Sequence, residues 1–325
     1  MAHKAVAFTA QQRAELIDID DPPDLQPDEV RGRTLFSLIS AGTELASYTR
    51  ETSDPPQLTG YAAVAEVEAV GAEVENLAKG DMVFCGDHHK SFQQVPAWTT
   101  IRVPDGLEAS KAVITRLMGV TFSTLITTVA RPGDRVMITG LGPVGFLGTQ
   151  IFRRSGYDVL ACDPDERRVE YARRAGIEHV YTQVPLDDPR FAKTVNLVVE
   201  CSGHEQAALD ACNMVRVRGE VVLVGAPWER KADIQAFDLL RAVFNNFVVL
   251  RSGWEWEVPL DETFRFQHHT ILKNYETAMQ WLKQDSVYLD GLRDIVAPRD
   301  CQQAYQKCLT HETNGLFSIF DWSKR

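Results

Sequence analysis

Two hydrophobic rhythms divide the chain. Up to about residue 119, apolar positions come in short alternating runs: Ala5–Phe8, Ala14–Ile19, Glu29–Ser40 and Ala62–Val70. Alternation of this kind predicts strands buried on one face. Pro22, Pro23, Pro27, Gly71, Gly80 and Gly86 punctuate them with turns. Short strands broken by turns predict a β-rich, partly open barrel rather than a helical domain. From about residue 120 the pattern changes. Val136–Thr139, Val159–Cys162, Val195–Glu200, Glu220–Val224 and Asn246–Leu250 are compact apolar runs, with a weaker one at Val180–Thr182. Helical stretches alternate with them at Phe146–Arg154, Glu166–Ala175 and His204–Val215. Apolar runs buried on both faces fit a parallel sheet covered by helices. Beyond residue 254 the pattern predicts a helix over Thr270–Lys283, a helix capped by Asp300 and running to Leu309, and a closing strand over Gly315–Trp322. The expected organisation is 1–119, 120–253 and 254–325.

The segment Arg135–Asp163 carries the most chemistry. A strand leads into Gly140-x-Gly142-x-x-Gly145, a helix follows, and a second strand ends at Asp163. This is the pattern of a dinucleotide-binding βαβ unit. Gly140 permits a tight turn, Gly142 lets backbone approach a pyrophosphate, and Gly145 lets helix and strand lie close. Pro143 and Val144 complete the loop, whose open N–H groups suit phosphates. Asp163 can accept hydrogen bonds from free ribose hydroxyls and would repel a 2′-phosphate, favouring NAD over NADP. Arg168, with Arg167, works against that preference, although pairing with Glu166 or Glu170, or simple exposure, is open to both. Ligands of such sheets bind beyond the carboxyl ends of the strands. That places Cys201, Ser202, Gly225, Ala226 and Ser252 beside the nicotinamide half.

Composition narrows the partners. The 325 residues suffice for two domains, and the net charge is -11 with 44% hydrophobic residues. An acidic chain without a basic stripe disfavours nucleic acid and anionic membranes. No apolar run reaches transmembrane length, and Lys4–Phe8 follows the start without a signal-like segment, so a cytoplasmic location is expected. The six cysteines, at 85, 162, 201, 212, 301 and 308, form no C-x-x-C pair. They read as small buried apolar residues rather than disulfides.

The sequence resembles the medium-chain dehydrogenase/reductase superfamily over nearly its whole length. The resemblance rests on Pro27-x-Glu29-Val30, Ile39-Ser-Ala-Gly-Thr-Glu44, Gly60 through Gly71, Gly80-Asp-Met-Val83, Pro104-Asp-Gly-Leu107, Pro132-Gly-Asp-Arg-Val136 and the glycine triplet. It implies a GroES-like catalytic domain, an inserted Rossmann domain, a C-terminal return to the catalytic domain, and a homodimer or homotetramer. It also exposes departures. Where zinc-dependent members carry a Cys-Gly-x-Asp/Glu motif, this chain has Ala41-Gly-Thr-Glu44. Where they carry Gly-His-Glu, it has Gly60-Tyr61-Ala62, and Leu117 stands near a further ligand position. The four-cysteine structural loop is also missing. Neither a catalytic nor a structural zinc is expected.

The candidates for proton transfer follow from those departures. Thr43 matches a proton-relaying hydroxyl of the resembled enzymes, and Glu44 an acid behind it. Thr43 can equally be a turn hydroxyl bonded to backbone. Tyr61 stands at a former ligand position, and its phenol can donate a proton or simply fill the space that zinc left. His88 and His89 are adjacent, so on a strand only one can face a cleft near Phe92. A turn site, or a metal site improvised with Asp87, is the alternative. His268-His269 poses the same choice. Lys90 and Arg116 are candidates for holding an anionic group. Trp254, Trp256, Phe264 and Phe266 suit a pocket wall or a subunit contact.

The expected function is zinc-independent, NAD-dependent interconversion of a secondary alcohol and a ketone. The substrate expected is polyol or sugar-like, because the ISAGTE stretch also resembles the branch with bacteriochlorophyllide hydroxyethyl dehydrogenase and sugar dehydrogenases. An NADPH-linked quinone or enal reductase, or an NAD-binding sensor without turnover, are the alternatives.

Overall fold

The computed structural model describes residues 3–51, 54–262 and 269–324. Phe264, Phe266 and His268 lie outside them. The chain divides into two compact units, Met1–Arg116 with Tyr275–Arg325, and Leu117–Asn274. The first break falls three residues before the expected one. The segment after 253 stays with the second unit until Asn274.

The second unit is a six-stranded parallel sheet. Its order is His179–Tyr181, Asp158–Cys162, Arg135–Thr139, Val195–Glu200, Val215–Leu223, Val249–Ser252. The order reverses between Arg135–Thr139 and Val195–Glu200, where an open α/β sheet leaves its crevice. Both faces are covered. Val136, Ile138, Val159, Ala161, Leu197 and Val199 pack on one side, and Met137, Leu160, Val198 and Val221 on the other. The residues Cys162, Thr139, Glu200, Leu223 and Ser252 stand in register across it. The loops leaving this edge therefore start side by side.

The first unit is β-rich and not closed into a true barrel. A three-stranded sheet joins Arg13–Ile19, His3–Ala10 and Gln57–Leu58. A larger mixed sheet runs Arg293–Val296, Phe317–Asp321, Glu29–Leu38, Ala63–Val70, Met82–Cys85, Ile101–Arg102, with Phe92–Pro96 also on Glu29–Leu38. The C-terminal strand returns antiparallel to Glu29–Leu38, pairing Ile319 with Leu38. Between the sheets, Phe8, Tyr48, Tyr305, Phe320 and Trp322 fill the core.

Several local expectations change. Ala41–Tyr48, to which the sequence assigned no element, is a helix. Gly42 and Thr43 are weak helix formers, but the Glu44 carboxylate folds back to accept the Ser40 N–H at 2.7 Å, in the manner of a capping box. Ala236–Asn246 is also a helix, so the predicted strand Asn246–Leu250 begins later, at Val249. Phe237, Leu240 and Phe244 leave that helix outward into solvent, while Leu239, Ala242 and Val243 pack inward on the sheet, so apolar residues on both faces blur its stripe. Asp300 stands at the N-cap of Cys301–Thr310, yet its side chain makes no capping bond. Among the described residues, no helix is long and apolar enough to cross a membrane.

Candidate active site

The glycine loop shows a division of labour among its glycines. Gly140 has φ +81°, a conformation that suits glycine. A β-carbon on Gly145 would come 1.8 Å from the Gly140 carbonyl oxygen, whereas one on Gly142 would meet nothing within 4 Å. Pro143 opens the helix Pro143–Arg154, and Gly142 at its N-cap gives it no side-chain capping bond. Open space and uncapped helix N–H groups meet at one place, which fits the pyrophosphate of a dinucleotide. Val144 is the next helical residue, and its carbonyl accepts the Thr121 hydroxyl at 3.2 Å.

Asp163 is only 2% exposed. Its carboxylate accepts the Leu141 N–H at 2.7 Å and the Asp165 N–H at 2.8 Å. It thus ties the glycine loop to the end of its own strand. Oδ2 takes both the Leu141 N–H and Arg168, so the lone pair left for a ribose hydroxyl is on Oδ1. Arg168 reaches the same carboxylate at 3.3 Å, and Arg167 pairs with Asp165 at 2.9 Å. The expected partners Glu166 and Glu170 are not the ones these contacts use.

Along the same sheet edge, Glu200 organises the next loop. Its carboxylate accepts the Ser202 N–H at 2.7 Å, the Gly203 N–H at 3.0 Å, and the Ser202 hydroxyl. Burial pushes its carboxyl above the usual range, against the pull of those donors. Cys201 leads into this turn, and burial pushes its thiol well up, which suits packing rather than nucleophilic attack. Gly225 follows, with a β-carbon there only 2.2 Å from the Gly203 nitrogen. Ala226 and Ser252 are exposed at the ends of the neighbouring strands. Lys231 donates to the Ser202 carbonyl at 2.9 Å. Glu200 and Lys231 went unread in the sequence. An acid ending an apolar strand before Cys-Ser-Gly is the signal that marks Glu200.

In the first unit, Tyr61 is half-buried, and its hydroxyl donates to the Ser40 hydroxyl. Thr43, exposed on the helix Ala41–Tyr48, lies close enough for its hydroxyl to favour the ionised phenol. Arg116, 7% exposed, lies with its guanidinium carbon 4.6 Å from the Tyr61 ring centre. Burial raises the phenol's pKa, Arg116 and the two hydroxyls pull it down, and the net direction is upward. Sequence reasoning found Tyr61 and Thr43 but missed Ser40, whose position before a helix is the signal for an N-cap.

The two histidines separate, although they lie in a loop after the strand Met82–Cys85 rather than on a strand. His88 is exposed, with Nδ1 3.0 Å from the Gly60 carbonyl. His89 is 0% exposed and packs so closely on Gly60 that a β-carbon there would lie 2.6 Å from the ring. His89 Nε2 lies 3.2 Å from Glu44, which also accepts the Thr59 hydroxyl at 2.9 Å and the Tyr305 hydroxyl. His89 is therefore enclosed behind the hydroxyl cluster and does not reach a surface. Lys90 pairs with Asp87 at 2.7 Å instead of standing free for an anion. His269 is exposed, as are Trp254 and Trp256. Among the described residues, no group of three or more His, Cys, Asp or Glu side chains could hold a metal ion. Ala41 and Leu117 offer no ligand atom.

Residues 143–257 match the zinc-binding dehydrogenase family. An L-threonine 3-dehydrogenase from Thermococcus kodakarensis is 27% identical over 287 residues, 74% of this chain and 81% of that protein. A D-guloside 3-dehydrogenase from Escherichia coli is 25% identical over 286 residues, 77% of this chain and 80% of that protein. Among solved structures, galactitol-1-phosphate dehydrogenase from Escherichia coli superposes with a TM-score of 0.80 at 16% identity, covering 98% of this chain and 99% of its own. The glycine cradle, the matched segment and these relatives make the chain an NAD(P)-dependent dehydrogenase of the medium-chain dehydrogenase/reductase-like fold.

Proposed function

We propose that the protein interconverts a secondary alcohol and a ketone with NAD, using side chains in place of a metal. The observation that carries this reading is the cluster of Tyr61, Ser40 and Thr43 hydroxyls where zinc-dependent members keep ligands. The substrate class we favour is polyol or sugar-like. The two curated relatives support a secondary hydroxyl, since the 3-hydroxyls of threonine and of a guloside are both secondary.

In the oxidative direction, the substrate carbon loses a hydride and its hydroxyl loses a proton, leaving a ketone. NAD, when bound, would supply the acceptor for the hydride and its electron pair. The proton passes from the substrate oxygen to the Tyr61 and Thr43 hydroxyls and on to water. Ser40 orients Tyr61 by accepting its hydroxyl hydrogen in the resting state. Gly140, Gly142, Pro143, Val144 and Gly145 would hold the pyrophosphate. Asp163 would take the adenosine ribose. Backbone at Cys201, Gly225, Ala226 and Ser252 would hold the carboxamide end. His88 remains a further candidate for proton exchange with solvent.

A second reading, an NADPH-linked quinone or enal reductase, draws on Arg168 beside Asp163, where a guanidinium could meet a 2′-phosphate. Fluorescence titration with NADH and NADPH separates the two. Repeating it with polyols, sugars and 3-hydroxy amino acids, while following nucleotide oxidation, tests turnover. NADH preference with substrate-dependent reduction supports the alcohol dehydrogenase. NADPH preference overturns it, and tight NADH binding without turnover favours a sensor.

The assembly we propose is a homodimer or homotetramer joined through the second unit. Its strand Val249–Ser252 ends the sheet with one edge unpaired by any described strand. Beside it Phe244, 82% exposed, stands with Phe237, Leu240, Phe247 and Val249, all exposed. A second copy related by a two-fold axis would cover the same apolar face and edge on both partners.

A further inference from the structure

We propose that Arg116 is a positioning residue for proton transfer, a fixed side-chain cation that holds Tyr61 ready to give and take a proton. The inference rests on the dehydrogenase reading for its consequence and on geometry for its basis. The guanidinium carbon lies 4.6 Å from the Tyr61 ring centre and 5.9 Å from that of Tyr275. A cation over an aromatic face is attracted by the ring's negative quadrupole. The attraction grows when the phenol ionises, because the ring then carries part of a full negative charge.

The setting makes that charge effective. Arg116 is 7% exposed, so water screens it little. Burying a charge is costly without compensation, and two aromatic faces supply part of it. Among the described residues, the groups that act on the Tyr61 phenol come from two segments. From the segment Ser40–Glu44 come two hydroxyls and the Glu44 carboxylate, and Arg116 comes from the start of Thr115–Thr127. Beyond Arg116 stands Tyr275, and His88 binds the Gly60 carbonyl next to Tyr61. Glu44 opposes ionisation of the phenol, but its charge is already engaged by His89. Among the described residues, Arg116 is the cation that favours the ionised phenol. Arginine suits the task because it stays charged at any working pH and stacks on rings, whereas lysine does neither as well.

The test compares Arg116→Gln and Arg116→Lys with the wild type. The Tyr61 phenol is read by ultraviolet difference titration of the nucleotide-free protein, with Tyr61→Phe as the blank. An opposite charge at this distance lowers an acid's pKa by about 1–3 units. Arg116→Gln should therefore move the Tyr61 titration up by at least about one unit. It should shift the alkaline-rising limb of kcat for alcohol oxidation by the same amount, with KM little changed. Arg116→Lys should restore most of both shifts. A Tyr61 titration that stays put in Arg116→Gln overturns the proposal, as does a fall in kcat with an unmoved pH limb. Should the neutral variant fail to fold, Arg116→Lys decides alone. A limb near the wild-type position supports the charge role, and a displaced limb overturns it. If the wild type turns over no alcohol, the dehydrogenase reading fails, while the nucleotide-free titration still scores the coupling of Arg116 to Tyr61.

Discussion

The α-carbon of Gly145 stands so near the Gly140 carbonyl that a β-carbon would lie 1.8 Å from its oxygen. Three residues before Gly145, Gly142 faces open space. The same substitution should therefore do different things at the two positions. Gly145→Ala must push a helix off its strand and should cost about 3 kcal/mol or more, seen as a large fall in melting temperature. Gly142→Ala should melt near the wild type but bind NADH at least about tenfold more weakly, since its methyl group occupies the phosphate's approach. Equal melting temperatures for both variants would refute this reading of the loop.

Asp163 does two jobs, and one substitution separates them. Asp163→Asn keeps an oxygen for the Leu141 N–H but loses the charge. The loop should hold, with stability falling by no more than about 1–3 kcal/mol for the Asp165 N–H left without its acceptor. The preference for NADH over NADPH should shrink, because a neutral amide no longer repels a 2′-phosphate. Paired fluorescence titrations with the two nucleotides measure it, and an unchanged ratio would locate selectivity elsewhere.

Tyr61→Phe removes one hydroxyl and leaves the ring under Arg116. If the phenol moves the proton, kcat should fall by about 100- to 10,000-fold. NADH affinity should not change, because the cofactor candidates belong to the second unit and Tyr61 to the first. A loss of less than about threefold would remove Tyr61 from the mechanism and point to Thr43 alone.

Acid should loosen the first unit through Glu44. Burial resists its ionisation, but His89, the Tyr305 hydroxyl and the Ser40 N–H together hold its pKa below the usual value. A carboxyl depressed on folding stabilises the protein above its unfolded pKa, near about 4.3. That contribution is lost as pH falls through the lower folded value. Melting temperature should therefore drop steeply below about pH 4. Glu44→Gln should flatten that limb and cost about 3–5 kcal/mol near neutrality, as for a broken buried pair. An identical acid limb in the variant would assign it to other carboxylates.

Phe244→Glu tests the assembly. A charge at the centre of the exposed apolar stripe should turn a dimer into a monomer in sedimentation velocity, without lowering the melting temperature of the unit itself. A wild-type protein that sediments as a monomer would itself end the proposal.

Much of the cofactor half was readable because its logic is local. Strand, glycine turn, helix, strand and acid follow each other within one stretch, and each residue's role depends on neighbours a few positions away. The sheet's carboxyl-edge residues could be named for the same reason. Ala236–Asn246 was missed because apolar side chains stand on both its faces, Leu239, Ala242 and Val243 inward and Phe237, Leu240 and Phe244 outward, which blurs the period of a half-buried helix. Ala41–Tyr48 was missed because Gly42 and Thr43 argue for a turn, while the bond from Ser40 to Glu44 argues for a helix and cannot be weighed from propensity.

The proton-handling half divides differently. By itself, the sequence determined that Ala41 and Leu117 cannot bind a metal, and its resemblance implied a zinc-ligand position at Tyr61. Only the tertiary structure decided which histidine is enclosed, by packing His89 between Gly60 and Phe320 and joining it to Glu44. It also brought Arg116 over Tyr61 and Tyr305 onto Glu44, partners separated by 55 and 261 positions. Periodicity and turn chemistry act over a few residues and so can be read along the chain. Contacts between distant residues depend on how finished sheets and helices pack, and that packing sets the burial and charge that decide what each side chain can do.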